Sequence, residues 1–122
     1  KKIEIGKTYY KYLKDNKNIY IQPPKQNNLI NCYWVVGILI LKKKHKSLLK
    51  KFLYSKGIET RDFFYPMHKQ PFLKKHFIIK KNYFPNSVFL SNNGLYLPSF
   101  YSLKKDEIKF ISKTINSFFY KN

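Results

Sequence analysis

Apolar positions in the first segment, Lys2 to Lys14, fall at Ile5, Tyr9, Tyr12 and Leu13. That spacing gathers them on one face of a helix, and Asp15-Asn16-Lys17-Asn18 ends the pattern. Ile19-Tyr20-Ile21 is a short β-prone run stopped by Pro23-Pro24, and Lys25 to Asn31 reads as a polar loop. Tyr33 to Leu41 is apolar throughout and predicts a strand buried on both faces. Gly37 inside it predicts close approach by another backbone. After the basic stretch Lys42 to Lys46, Ser47 is the expected cap of a helix carrying Leu48, Leu49, Phe52 and Leu53. Gly57 suits the left-handed residue after that helix, with Ile58 supplying the accompanying hydrophobic contact.

Thr60 to Tyr65 is the next strand candidate, ended by Pro66, and Met67 to Lys81 is irregular. Pro85 can open a short helix through Val88, Phe89 and Leu90 that stops at Asn93-Gly94. Leu95 to Pro98 is a short strand. Ser102 is the expected cap of the last helix, whose stripe is Ile108, Ile111, Ile115 and Phe118 or Phe119. Asp106 and Glu107 lie in its early turns, where the helix dipole favours acids. The order helix, strand, strand, helix, strand, helix, strand, helix predicts an α+β fold. A small, mostly antiparallel sheet would carry the helices on it. No internal repeat or linker interrupts residues 1–122, so a single domain is expected.

Charge changes the picture less than its size suggests. The net charge is +19, but 24 of the 25 basic residues are Lys, Arg61 being the exception, and Ala is missing altogether. Lys, Asn, Ile, Phe and Tyr, all with A/T-rich codons, dominate the composition. A phosphate-reading surface recruits Arg for its bidentate fork, and the Lys residues here form no long block. A non-enzymatic, Lys-rich nucleic-acid-binding module is therefore the lesser reading. The nine-residue apolar run Tyr33 to Leu41 falls short of the ~18 residues of a membrane-spanning helix.

Cys32 has no intramolecular partner, which fits a reducing, cytoplasmic setting, and its place beside an apolar run predicts a buried structural thiol. The chain opens on Lys1 without a leader-like pattern, the expectation for a fragment, a split gene product or a decayed one. No Gly-rich phosphate loop, paired His on one helix turn or Cys pair occurs. Nothing in the spacing of Cys32, His68 and His76 supports a metal site.

One segment, Gly57 to Pro71, concentrates chemistry: Arg61, Tyr65, His68 and Gln70 among several aromatics. It is either an anion-and-sugar contact loop or a strand followed by an ordinary surface loop. In the first case Arg61 would pair with phosphate, His68 and Gln70 with hydroxyls, and an aromatic face would stack on a ring. The residues by themselves leave both open.

The same segment resembles the C-terminal domain of the DegT-type sugar aminotransferases. Gly57-Ile58-Glu59-Thr60-Arg61, Phe63-Phe64-Tyr65-Pro66 and His68-Lys69-Gln70-Pro71 match its signature. Other pieces follow in the family's order: Lys1 to Tyr12, Tyr33 to Leu39, Phe84 to Ser91, Gly94 to Ser99 and Leu103 to Phe118. The resemblance implies the small domain of the aspartate aminotransferase fold. Pyridoxal phosphate would be held by a large domain that this segment lacks, so the segment alone would bind none. It further implies a sugar nucleotide and glutamate as substrates and a homodimer when complete. His68, Arg61, Tyr65 and Gln70 would face the substrate, with no catalytic residue in the segment itself.

Overall fold

A computed structural model describes residues 1–76 and 84–120. Helix α1 (Lys2–Leu13) turns Ile5, Tyr9 and Leu13 inward, as its spacing requires. Strand β1 (Ile19–Ile21) follows. The expected polar loop is instead a hairpin of β2 (Lys25–Gln26) and β3 (Leu29–Ile30). Its turn places Asn27 at φ 54°, a left-handed geometry that Asn tolerates and two-residue hairpins need.

Strand β4 is shorter than its apolar run, covering Val36–Ile40. Tyr33 sits at φ 50°, and its backbone N–H donates to Asn31 Oδ1 at 2.9 Å. This local turn keeps Tyr33 to Val35 out of the sheet and leaves Trp34 exposed. It also leaves Cys32 exposed, contrary to the buried thiol expected. Nor is β4 fully buried on both faces: Val36, Ile38 and Ile40 are buried, whereas Gly37 and Leu39 are half-buried.

Helix α2 (Lys44–Ser55) begins three residues before Ser47, which therefore lies inside it and caps nothing. Its other end follows the sequence. Gly57 has φ 74°, its N–H donates to the Tyr54 carbonyl at 3.0 Å, and the Ile58 N–H donates to the Leu53 carbonyl at 2.9 Å. These two bonds and the buried Ile58 make a Schellman cap. Strand β5 is only Arg61–Asp62, lengthened by a 3.3 Å bond from the Phe63 N–H to the Gly94 carbonyl.

A 3-10 turn (Met67–Lys69) leads into α3 (Pro71–His76), so this part is less irregular than expected. The rest of that stretch, through Lys81, lies outside the described residues. Helix α4 (Pro85–Asn93) has its Pro at the first position. Strand β6 (Gly94–Leu97) and helix α5 (Lys105–Tyr120) complete the chain. Ser102 is not the cap of α5; the carboxylate of Glu107 accepts the Lys104 backbone N–H at 2.7 Å instead, half of a capping box.

The sheet order is β1-β4-β6-β5, antiparallel throughout. Val36 pairs with Leu97, Ile38 with Leu95 and Ile40 with Ile19, so these side chains share one face. They form one core with Ile5, Tyr9 and Leu13 of α1, Leu49 and Leu53 of α2, and Ile108, Ile111 and Ile115 of α5. Each such aliphatic side chain contributes about 1.5–3 kcal/mol by leaving water. The helices thus take one face of the sheet, and Gly37, Arg61 and Tyr96, paired in register, lie on the other.

Candidate functional site

Two glycines decide what covers the second face. A Cβ at Gly94 would lie 2.2 Å from the ring of Phe63, and one at Gly37 would lie 2.7 Å from it. The close approach expected at Gly37 is therefore made by a side chain rather than by a backbone. Phe63 lies in this cradle and stacks on Tyr96, centroids 4.3 Å apart and planes 17° apart. The next ring, Phe64, meets Tyr96 edge-on at 5.6 Å and stacks with Trp34 at 6.5 Å. Locked at Phe63, the chain holds Phe64 and Trp34 out in solvent, each 69% exposed.

These rings wall an open groove of about 850 Å³ that wraps the β5 edge of the sheet. Its far wall is built from Phe100, Leu103 and, on α5, Glu107 and Phe110. Arg61 lies in the groove opposite Tyr96. Its Nε is 3.9 Å from Glu59 Oε1 and both side chains are largely exposed, a pairing too weak to immobilise the guanidinium. Its neighbour Asp62 points the other way. Lys50 Nζ donates to it at 2.5 Å and Lys46 Nζ lies 3.1 Å away, tying β5 to α2. The hydrogen bond from Lys50, aided by Lys46 and opposed by partial burial, holds the Asp62 carboxyl below its ordinary value.

The other sequence-predicted site residues stand apart from the groove lining. Tyr65 is exposed just before the buried Pro66. His68, half-buried in the 3-10 turn, rests its ring against Phe84 with centroids 5.0 Å apart. Gln70 ends that turn, its backbone N–H donating to the Met67 carbonyl at 3.0 Å. The structure thus brings Arg61 into the groove and strings Tyr65, His68 and Gln70 along the segment leaving it.

Trp34, Phe64, Tyr96, Phe100 and Phe110 are the residues that sequence reasoning did not single out. Phe110 carried a usable signal, being an aromatic off the stripe of Ile108, Ile111 and Ile115. Trp34 carried a misleading one, since it sits in an apolar run. Among the described residues no three His, Cys, Asp or Glu gather as metal ligands. None of the described helices is long and apolar enough to cross a membrane.

The model of the DegT/DnrJ/EryC1/StrS aminotransferase family matches residues 1–116. The chain is 33% identical over 120 residues to the GDP-perosamine synthase of Escherichia coli O157:H7, covering 98% of this chain and 31% of that protein. It is 34% identical over 97 residues to the GDP-perosamine synthase of Vibrio cholerae, covering 78% and 26%. It therefore spans about a third or less of the length of these curated relatives. Among solved structures, Helicobacter pylori PseC, an aminotransferase involved in the biosynthesis of pseudoaminic acid, superposes with a TM-score of 0.83 at 17% identity, covering 99% of this chain and 32% of that one. A DegT DnrJ EryC1 StrS aminotransferase from Brucella abortus gives 0.78 at 23% identity, covering 96% and 30%. At these identities the structures speak for the fold.

Proposed function

The chain belongs to the DegT/DnrJ/EryC1/StrS aminotransferase family, and from that premise we propose that it is the C-terminal small domain of a nucleotide-sugar aminotransferase of the perosamine-synthase kind. The complete enzyme would move an amino group from glutamate to the keto carbon of a GDP-linked 4-keto-6-deoxy sugar, as a homodimer. The observation that carries this reading is the 33% identity to a GDP-perosamine synthase over 98% of the chain.

Pyridoxal phosphate, which the family implies for the complete enzyme, supplies the carbonyl that carries the amino group. It needs an imine-forming lysine and a cradle for its phosphate. Among the described residues no Lys lines the groove, and the Arg61 that does lies near Glu59. The groove does not suit the cofactor as a resident, which supports placing it on the large domain and leaving this domain inactive alone.

The small domain's part is then to bind and orient. Arg61, held only weakly by Glu59, is free to turn to a diphosphate, and its planar fork suits that anion better than the surrounding lysines do. His68 is set between Pro66 and Pro71 and braced by Phe84. From that position it would aim a hydrogen bond at a sugar hydroxyl, with Tyr65 and Gln70 flanking it. Such contacts fix the approach of the keto carbon without themselves moving protons.

The test is reduction with borohydride after adding pyridoxal phosphate to the isolated chain. Scattered labelling of surface lysines is expected. A stoichiometric adduct on one Lys would place a cofactor site in this domain and overturn the assignment of that site to another.

A further inference from the structure

We infer that Lys46 is a positioning residue for Arg61. From the helix side of the sheet it ties Asp62 to the end of α4, and so fixes the direction in which Arg61 enters the groove. The inference rests on the diphosphate role proposed for Arg61 and adds to it the residue that aims the guanidinium.

Three observations carry it. The first is how little else holds β5. It is an edge strand paired with β6 alone, Arg61 with Tyr96 and Asp62 with Leu95, and its ladder ends at the bond from the Phe63 N–H to the Gly94 carbonyl. So few backbone bonds resist a twist of the strand about its own axis only weakly. Neighbouring residues of a strand point to opposite faces, so such a twist swings Arg61 and Asp62 together. Whatever fixes Asp62 on the helix side therefore fixes Arg61 on the groove side.

The second is the grip on Asp62. Its two carboxylate oxygens are taken by different lysines of α2: Oδ1 lies 3.1 Å from Lys46 Nζ, and Oδ2 lies 2.5 Å from Lys50 Nζ. These lysines stand one helical turn apart on the same face, and between them they restrain the carboxylate at both oxygens. Lys46 does more than Lys50. It also donates to the Ser91 carbonyl at 2.8 Å, near the end of α4, and α4 runs directly into β6 at Gly94. One ammonium thus registers β5 against the start of the strand with which it pairs.

The third is burial with little return in stability. The Lys46 side chain is only 14% exposed, against 41% for Lys50. Ordering a lysine and drawing its ammonium out of water costs side-chain entropy and hydration, and a pair with the half-exposed Asp62 offsets little of that. Lys46 lies outside the groove lining, so its effect on the groove passes through Asp62 and β5. Arg61 is left with a fixed base and a free head, its Nε 3.9 Å from Glu59. A guanidinium that starts from a fixed direction reaches a diphosphate with less misplacement.

The experiment is a double-mutant cycle in a complete enzyme whose small domain is this chain. It is read as kcat and KM for a GDP-linked 4-keto-6-deoxy sugar, with glutamate saturating. Lys46→Met, which keeps the apolar stem and removes the ammonium, is expected to lower kcat/KM roughly threefold or more, the loss lying in KM. In an Arg61→Ala background the same change should cost nothing further, because the residue through which it acts is gone. Asp62→Asn, which changes stability little, should repeat both results, and it decides the matter if Lys46→Met does not fold. An unchanged KM in the folded variants, or an equal loss with and without Arg61, overturns the positioning role and leaves the role of Arg61 intact. A parent that makes no amino sugar, or an Arg61→Ala enzyme with undiminished kcat/KM, contradicts the proposed diphosphate contact, and the positioning role falls with it.

Discussion

Single residues set the site through two kinds of contact, steric and polar. The steric kind is the Phe63 ring between Gly37 and Gly94. At Gly94 any side chain begins 2.2 Å from that ring, so Gly94→Ala must push Phe63 off Tyr96. Overpacking of this kind costs about 1–3 kcal/mol, and Phe63→Leu in the same chain should return part of it. Thermal unfolding of the single and double variants checks this; a Gly94→Ala chain as stable as the parent would show that the cradle is loose. The polar kind is the one proposed for His68. In the complete enzyme His68→Ala should lower kcat/KM for the sugar nucleotide roughly ten- to a hundredfold, with the cofactor spectrum kept. The ring contact with Phe84 also predicts a small fall in melting temperature. His68→Gln, which keeps a hydrogen-bonding side chain, should recover part of the activity. Lost stability with unchanged kinetics would mean that His68 only ties the turn to its own domain.

At the scale of elements, the legible parts are those in which one local rule acts alone. The α1 and α5 stripes follow helix spacing, and Gly57 with Ile58 forms the expected cap. Where two rules competed, the sequence misled. Apolar content extended β4 back to Tyr33, but the Asn31 side chain bonded to the Tyr33 N–H makes a turn there. Ser47 and Ser102 looked like caps, yet α2 starts earlier and α5 uses Glu107 from within. The groove was hardest to foresee. Arg61 stood out as the lone Arg, but Trp34, Tyr96 and Phe110 come from distant segments that meet only through sheet pairing and the placement of α5.

The short strand β5 needs an anchor besides its ladder, and Asp62 provides one through Lys50 and Lys46. Its carboxyl is held below the ordinary 3.8, chiefly by the Lys50 hydrogen bond. A depressed folded value means that the contribution is complete above the unfolded value and fades as pH falls through the folded one. Asp62 is half-exposed, so the effect is small, under about 1 kcal/mol. Asp62→Asn should therefore melt slightly below the parent at neutral pH, and the difference should shrink below the ordinary carboxylate value and close only as pH falls through the depressed folded one. A gap that persists at acid pH would assign the effect to packing rather than to charge.

At the scale of the whole molecule, the fold presents two unlike sides. Helices α1, α2 and α5 cover one face of the sheet around a continuous aliphatic core. The other side carries stacked rings, one Arg and an open groove. The central claim is that this side, led by Arg61, meets a sugar nucleotide in a complete aminotransferase. The direct measurement is turnover of a GDP-linked 4-keto-6-deoxy sugar with glutamate by a complete enzyme whose small domain is this chain, compared with its Arg61→Ala variant. Amino-sugar nucleotide is expected from the parent, with pyridoxal phosphate retained by both proteins and kcat/KM lower by roughly tenfold or more in the variant. A parent that holds the cofactor but gives no amino sugar, or a variant with undiminished kcat/KM, would contradict the account.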